Sequence, residues 1–233
     1  RTVTRPSFIE MAPFLYQESY GSAQIRGNAD LKNGYNYNID LRYEWFFDNG
    51  DMFSATAYYK HLENPIEQIQ TLAGGATVHS FQNASNGMAT GLEVEFRKEL
   101  VRDLRFGANA SFMYTDVKLP EGGAYTNTQR ALQGASPYLV NADITYSPRF
   151  GEVKQLSAAL VYNLQGPRIQ SVGISGLGDV KQQPVHTLNW VTSFKLNEKI
   201  AFKLQVNDLL NQPVIFKQEV PSTGEKVEVE RFK

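Results

Sequence analysis

The chain holds three histidines, His61, His79 and His186, and no cysteine. No two of the histidines stand at the i, i+4 spacing that sets two imidazoles on one helix face. With no thiolate to complete a tetrahedral set, no ordinary zinc site can be read. Each histidine lies near a polar stretch and reads as a solvated loop residue. The run Gly173-Ile-Ser-Gly176-Leu-Gly178-Asp179 has the glycine content of a phosphate loop, but it lacks the following helix and the Lys-Ser/Thr pair that would reach the phosphates. It reads as a plain loop. Asp48 and Asp51 flank Asn49-Gly50, which is turn chemistry and not a calcium site. The glycosylation pattern occurs at Asn83-Ala-Ser85 and Asn109-Ala-Ser111, the second inside an expected strand. The sequence thus offers no catalytic constellation, no metal ligand set and no cofactor motif, and the expectation is a protein that is not an enzyme.

Two groups of residues remain with chemistry to offer. One is a set of aromatic rings and a cation in long polar stretches: Phe14, Tyr16, Tyr20, Tyr125 and Arg130. Rings supply large, rigid contact area, and loops on a rigid scaffold commonly carry binding, so these five are the expected ligand contacts. The alternative is that they only pack the loops together. The other group is ionised: Asp40, Arg42, Glu93, Glu95, Arg97 and Asp143, with Glu44, Arg105, Lys195 and Lys203 in the same pattern. What positions them is a period of 2.

In residues 35–47 every odd position is apolar or aromatic, Tyr35, Tyr37, Ile39, Leu41, Tyr43, Trp45 and Phe47, while five of the six positions between are polar or charged: Asn36, Asn38, Asp40, Arg42 and Glu44. A strand sends successive side chains to opposite faces, so one face is apolar and the other charged. The run exceeds the roughly 5–6 residues of a common globular strand and suits a tilted strand crossing a bilayer, about 9–11 residues plus its ends. Aromatics at both ends of the apolar face match the two membrane–water interfaces. Similar stretches follow at 52–60, 88–98, 104–115, 138–146, 156–165, 186–196 and 200–207, and a fragment of another at 226–233. On the apolar face fall Val94, Phe106, Phe112, Ile144, Leu160, Trp190 and Phe202. The ionised residues then face a lumen, where both signs of charge imply water, a plug, or both. The bland counterpart is a solvated sheet face with cross-strand ion pairs.

Connections alternate in length. Short turns at 48–51, 98–103, 147–154 and 197–199 interleave with long polar stretches at 6–34, 62–86, 117–136, 166–185 and 209–225. Loops beyond about 12–15 residues are uncommon in compact domains, whereas outer-membrane barrels pair short periplasmic turns with long extracellular loops. The expected architecture is all-β, an antiparallel transmembrane β-barrel segment of about ten strands, with its long loops outside the cell. The other readings are a self-contained outer-membrane barrel acting as an enzyme or adhesin, and a soluble β-sandwich binding module. A formal net charge of −1, with no basic run, gives no footprint for nucleic acid. No segment nears the 18 or so apolar residues of a membrane helix, which says nothing against a barrel. Both ends of the sequence read as strand in progress, so a piece of a longer chain is expected, with edges that pair elsewhere.

An ordered series of short motifs carries a resemblance. Arg1-Thr-Val-Thr-Arg-Pro-Ser-Phe-Ile-Glu-Met-Ala-Pro-Phe14 is followed by Gly27-Asn-Ala-Asp-Leu-Lys32, Asp40-Leu-Arg-Tyr-Glu-Trp-Phe-Phe47, Ala57-Tyr-Tyr-Lys60 and Asn64-Pro-Ile-Glu67. Then come Asn83-Ala84, Thr90-Gly-Leu-Glu-Val-Glu-Phe-Arg-Lys98 and Asn207-Asp-Leu-Leu-Asn-Gln-Pro213. Over residues 1–233 the series resembles the C-terminal barrel portion of TonB-dependent outer-membrane receptors, those with a carboxypeptidase-regulatory-like domain ahead of the plug. The resemblance implies a 22-stranded barrel whose plug domain and final strand lie outside this sequence, and import of a scarce, bulky nutrient such as a siderophore, vitamin, glycan or peptide. It implies as partners outer-membrane lipid, the protein's own plug and remaining strands, and TonB through the plug side.

Overall fold

A computed structural model describes residues 1–17, 24–47, 49–73, 76–120, 125–151, 154–174 and 176–232. The alternating stretches form one antiparallel wall of nine strands, each bonded to its neighbours along the chain: Thr2–Thr4, Gly34–Phe46, Met52–Glu63, Asn86–Val101, Leu104–Lys118, Tyr138–Tyr146, Lys154–Gln165, Val185–Lys195 and Ala201–Val206. Two short strands, Gln129–Arg130 and Arg149–Phe150, pair onto its flank. Several strands outrun their expected limits at the end that carries the long loops, Asn86–Val101 reaching 16 residues. At the opposite end the turns are tight. Asp51 is buried there, accepting the Glu99 amide at 2.7 Å and the Lys98 ammonium at 3.3 Å. The Glu99 amide holds its carboxyl below the usual range.

Register carries the two faces across the whole wall. Leu41 stands beside Ala57, then Leu92, Phe112 and Tyr138. Phe106 stands beside Ile144, then Leu160, Trp190 and Val206. The reverse face has its own row: Glu44, Ser54, Glu95, Asn109, Asn141, Asn163, Thr187. A slip of one residue in any pair would mix the two sets. Two glycines make room on the polar face. The Tyr58 ring lies over Gly91, where a Cβ would meet the hydroxyl at 2.6 Å and the Phe112 carbonyl oxygen at 2.4 Å. The Asp143 carboxylate lies over Gly107, at 2.6 Å from a Cβ placed there.

Among the described residues nothing covers the apolar face: Ile39, Leu41, Tyr43, Phe112, Trp190 and Phe202 are all exposed, Leu41 at 75%. A soluble sandwich would bury this face against a second sheet. None does so, and the sandwich reading fails on that point. The buried apolar residues lie instead at the loop end.

The long stretches, expected as irregular loops, build two further four-stranded sheets there. One orders Leu15–Tyr16, Gln24–Arg26, Ala76–Asn83 and Ile66–Ala73; the other orders Arg168–Ser171, Val180–Gln182, Val214–Val220 and Glu225–Phe232. The last strand is a correction. Expected as a fragment of wall, it is the return arm of a hairpin, with Phe232 opposite Val214. Its alternating Val227 and Val229 satisfy a ribbon as well as a wall, and the Ser222-Thr-Gly224 turn before it closes the nearer partner. The wall therefore ends at Thr2–Thr4 and Ala201–Val206, and among the described residues these edges are not paired with each other.

Candidate functional site

Residues 125–137, with Leu119, bind the two loop sheets into one platform. The Leu119 amide bonds Thr128 and the Thr126 amide bonds Gly173, both at 2.8 Å. The Gln133 amide nitrogen donates to Gln170 O at 2.8 Å and to Gln68 Oε1 at 3.3 Å, touching both sheets. Beneath lie Ile69, Ala84, Val117, Leu119, Tyr125 and Val172, packed with Leu132. At the centre Arg130 Nη2 stands 2.9 Å from Glu67 Oε2, the two side chains only 2% and 4% exposed. Arg130 Nη1 donates to Ala131 O at 3.3 Å, while Nε has no hydrogen-bond partner. Burial pushes the Glu67 carboxyl above its usual range, outweighing the pull of the guanidinium beside it. On the same hairpin His79, whose Nδ1 is 2.8 Å from Gln68 Nε2, is lowered by burial.

These positions decide how much surface each expected ligand contact presents. Tyr125 is 6% exposed and belongs to the platform's apolar cluster, and Arg130 is consumed by Glu67. Phe14 is exposed at 54% and sets its ring edge-on to Tyr16, centroids 6.1 Å apart. Tyr20 lies outside the described residues.

Beside Arg130 the strand Leu104–Lys118 loses its wall neighbour above Phe112, where segment 129–137 swings away and returns. The gap is a cleft of about 460 Å³, lined from three sides by Thr115, Asn127, Gln129, Arg130, Arg168 and Lys181, among others. Arg168 Nε donates to the neutral Gln182 Oε1 at 2.9 Å. Sequence reasoning missed Glu67, Arg168 and Lys181 because all three fall in stretches read as loop.

The six ionised wall residues share the polar face, as their register shows. Arg42 pairs with Glu44 at 2.7 Å and Arg97 with Glu95 at 2.6 Å. Asp143 accepts from the Thr145 hydroxyl at 3.2 Å. Asp40 and Glu93 form no ion pair among the described residues. Asn141 donates to Asn109, Asn163 to Asn141, and the Thr187 hydroxyl to Asn163, an amide ladder across four strands. Among the described residues no three His, Asp or Glu side chains gather as a metal site would need.

A family model described as outer membrane protein beta-barrel family matches residues 1–230. The chain belongs to that family. Its place is the bacterial outer membrane, with the bare apolar face explained by lipid. No curated protein sequence matches the chain significantly. Among solved structures, the fold is similar to the copper transporter OprC, at TM-score 0.64 and 14% identity over 98% of this chain and 34% of that one. The ferric enterobactin receptor from Pseudomonas aeruginosa, as a single-residue mutant, gives TM-score 0.60 and 18% identity over 91% and 32%. The siderophore receptor PirA from the same organism gives 0.60 and 18% over 90% and 35%. This outer-membrane barrel chain thus spans about a third of the structures it resembles, and at these identities the likeness is one of fold.

Proposed function

We propose that the chain is the C-terminal barrel portion of a TonB-dependent receptor that imports a scarce, bulky nutrient. The observation that carries this is the wall itself, apolar in register on one face and ionised in register on the other. A narrow barrel filled by its own side chains has no use for Asp40, Glu93 and the Asn109–Asn141–Asn163 ladder on its inner face; a wide one lined by water or a plug does. In this reading Tyr37, Leu41, Trp45, Phe112, Ile144, Trp190 and Phe202 face lipid. Asp40, Arg42, Glu93, Glu95, Arg97 and Asp143 face the lumen and the protein's own plug. The platform stands outside the cell, with Phe14 and Tyr16 as its ring contacts for solute. The edges at Thr2–Thr4 and Ala201–Val206 pair with the remaining strands of the barrel, and energy arrives through TonB on the plug side. The similar folds of a copper transporter and of siderophore receptors support transport over the enzyme and adhesin readings.

The test uses the full-length receptor. Deleting its gene and offering ferric siderophores, cobalamin, copper and oligosaccharides in turn should abolish uptake of one class, and dissipating the proton-motive force should do the same in the parent strain. The purified receptor in a planar bilayer should show no steady conductance. An open, ohmic pore with all uptake intact would refute the reading.

A further inference from the structure

The cleft beside Arg130 holds positive charge that the platform does not use. Of its three nearby carboxylates, Glu67 is spent on Arg130. Asp179 is buried and committed, Oδ1 accepting the Gly173 amide at 2.9 Å and Oδ2 the Asn127 amide nitrogen at 3.2 Å. Asp116, at the Gln129 side, accepts from Gln129 Nε2 at 2.8 Å. Arg168 and Lys181 are left with no ion pair among the described residues. Two cations with no ion pair among the described residues, Arg168 and Lys181, thus line one cleft large enough for a small oxyanion and its first substituents.

We infer that this cleft is a binding site for a carboxylate- or phosphate-type oxyanion, held by Arg168 and Lys181 with Thr115, Asn127 and Gln129 supplying neutral hydrogen bonds. A planar guanidinium suits a bidentate oxyanion and an ammonium a single charged oxygen, so the two cations divide the work. The group can come from a soluble solute or from a lipid headgroup, because Tyr114 on the lipid-side face lines the same cleft. The inference rests on the loop end being the capture surface, but its test reads binding alone, so it can fail while uptake stands, and uptake can fail while it stands.

The full-length receptor is purified in a non-ionic detergent and titrated with inorganic phosphate by calorimetry. In a second arm the titrant is short-chain phosphatidylglycerol, with the matching diacylglycerol as the headgroup-free control. Arg168→Gln and Lys181→Gln should each weaken binding about tenfold, the usual scale of one lost charge-assisted contact. Arg168→Lys should retain most of it, and Lys118→Gln, an exposed cation outside the lining, should change nothing. The heat-dependent gel shift of a folded barrel certifies each variant. Sensitivity in the phosphate arm alone assigns a soluble solute; sensitivity in the lipid arm assigns a headgroup. No saturable binding in either arm, or binding indifferent to both glutamine changes, overturns the inference.

Discussion

Replacing Arg130 with Met would strand the Glu67 carboxylate in the middle of the platform. The side chains are 2% and 4% exposed, so water cannot take the place of the guanidinium, and Glu67 would keep only the Gln133 backbone amide that already supports it. Removing one partner of a buried pair costs about 3–5 kcal/mol, mostly the penalty of the charge left behind. Part of that is relieved by protonation, since burial already raises the Glu67 carboxyl. The double variant Glu67→Gln, Arg130→Met removes both charges at similar volume and should lose far less, since well-packed neutral replacements of buried pairs are often neutral or better. Hydrogen exchange of the folded full-length protein in micelles measures the difference where it acts. Amides of Ile66–Ala73, Ala76–Asn83 and the Leu119–Thr128 bond should exchange about 10²- to 10³-fold faster in Arg130→Met, following the free energy of local opening. Wall amides of Met52–Glu63 should not change. Unaltered platform exchange in Arg130→Met, or a double variant as damaged as the single, would refute the view that this pair holds the Ile66–Ala73 hairpin to the wall through Gln129–Arg130.

On the apolar face, Leu41→Arg and Phe112→Arg should each cost about 2–4 kcal/mol of folding into lipid vesicles, as a cation near the bilayer midplane does, while Asp143→Asn folds with wild-type yield. Gly91→Ala should destabilise the wall by about 1–3 kcal/mol because the new methyl meets the fixed Phe112 carbonyl as well as the Tyr58 ring. Gly107→Ala should cost less, because only the movable Asp143 carboxylate is in its way, and urea midpoints in vesicles rank the two. The pH response of the platform should have two opposed parts. Glu67, raised by burial, binds its proton more readily folded, so its contribution favours the platform as pH falls and is lost as pH rises from the ordinary carboxylate value through the raised one. His79, lowered by burial, is the reverse, its contribution present above the ordinary imidazole value and lost on acidification. Glu67→Gln should therefore leave only the loss on acidification, read as lower platform protection at pH 5 than at pH 7.5, each exchange rate taken relative to the intrinsic rate at its own pH; the same pH response in Glu67→Gln as in wild type would contradict the assignment.

The wall was readable in the sequence because a single rule makes it. Where Ile39, Leu41 and Tyr43 alternate with Asn38, Asp40 and Arg42, lipid on one side and water on the other leave only one register, and local text determines it. The platform obeys no such rule. Glu67 and Arg130 are 63 positions apart, and nothing near either residue announces the other. Gln133 bonds Gln68 and Gln170 across 65 and 37 positions. Tyr125 could be read only as an aromatic ring in a polar stretch; whether such a ring turns outward or into a cluster depends on Val117 and Val172, which belong to other segments. The strand Glu225–Phe232 shows the limit from the other side, since alternation reports a strand but not the sheet that takes it.

The contrast between the two halves sets an order of assembly. Every wall pair joins strands that are consecutive along the wall, so it can zip strand by strand, each step closing one turn or one long stretch, and loop-closure cost grows only slowly with length. The platform instead waits for partners brought together by that zipping. Gln24–Arg26 pairs in parallel with Ala76–Asn83 only once the hairpin between them stands, and Arg130 finds Glu67 only after four wall strands are in place. Its sheets are thus the late-forming part of the molecule. A lesion there should leave a barrel inserted but unable to finish its outer surface, a defect of maturation and not of insertion.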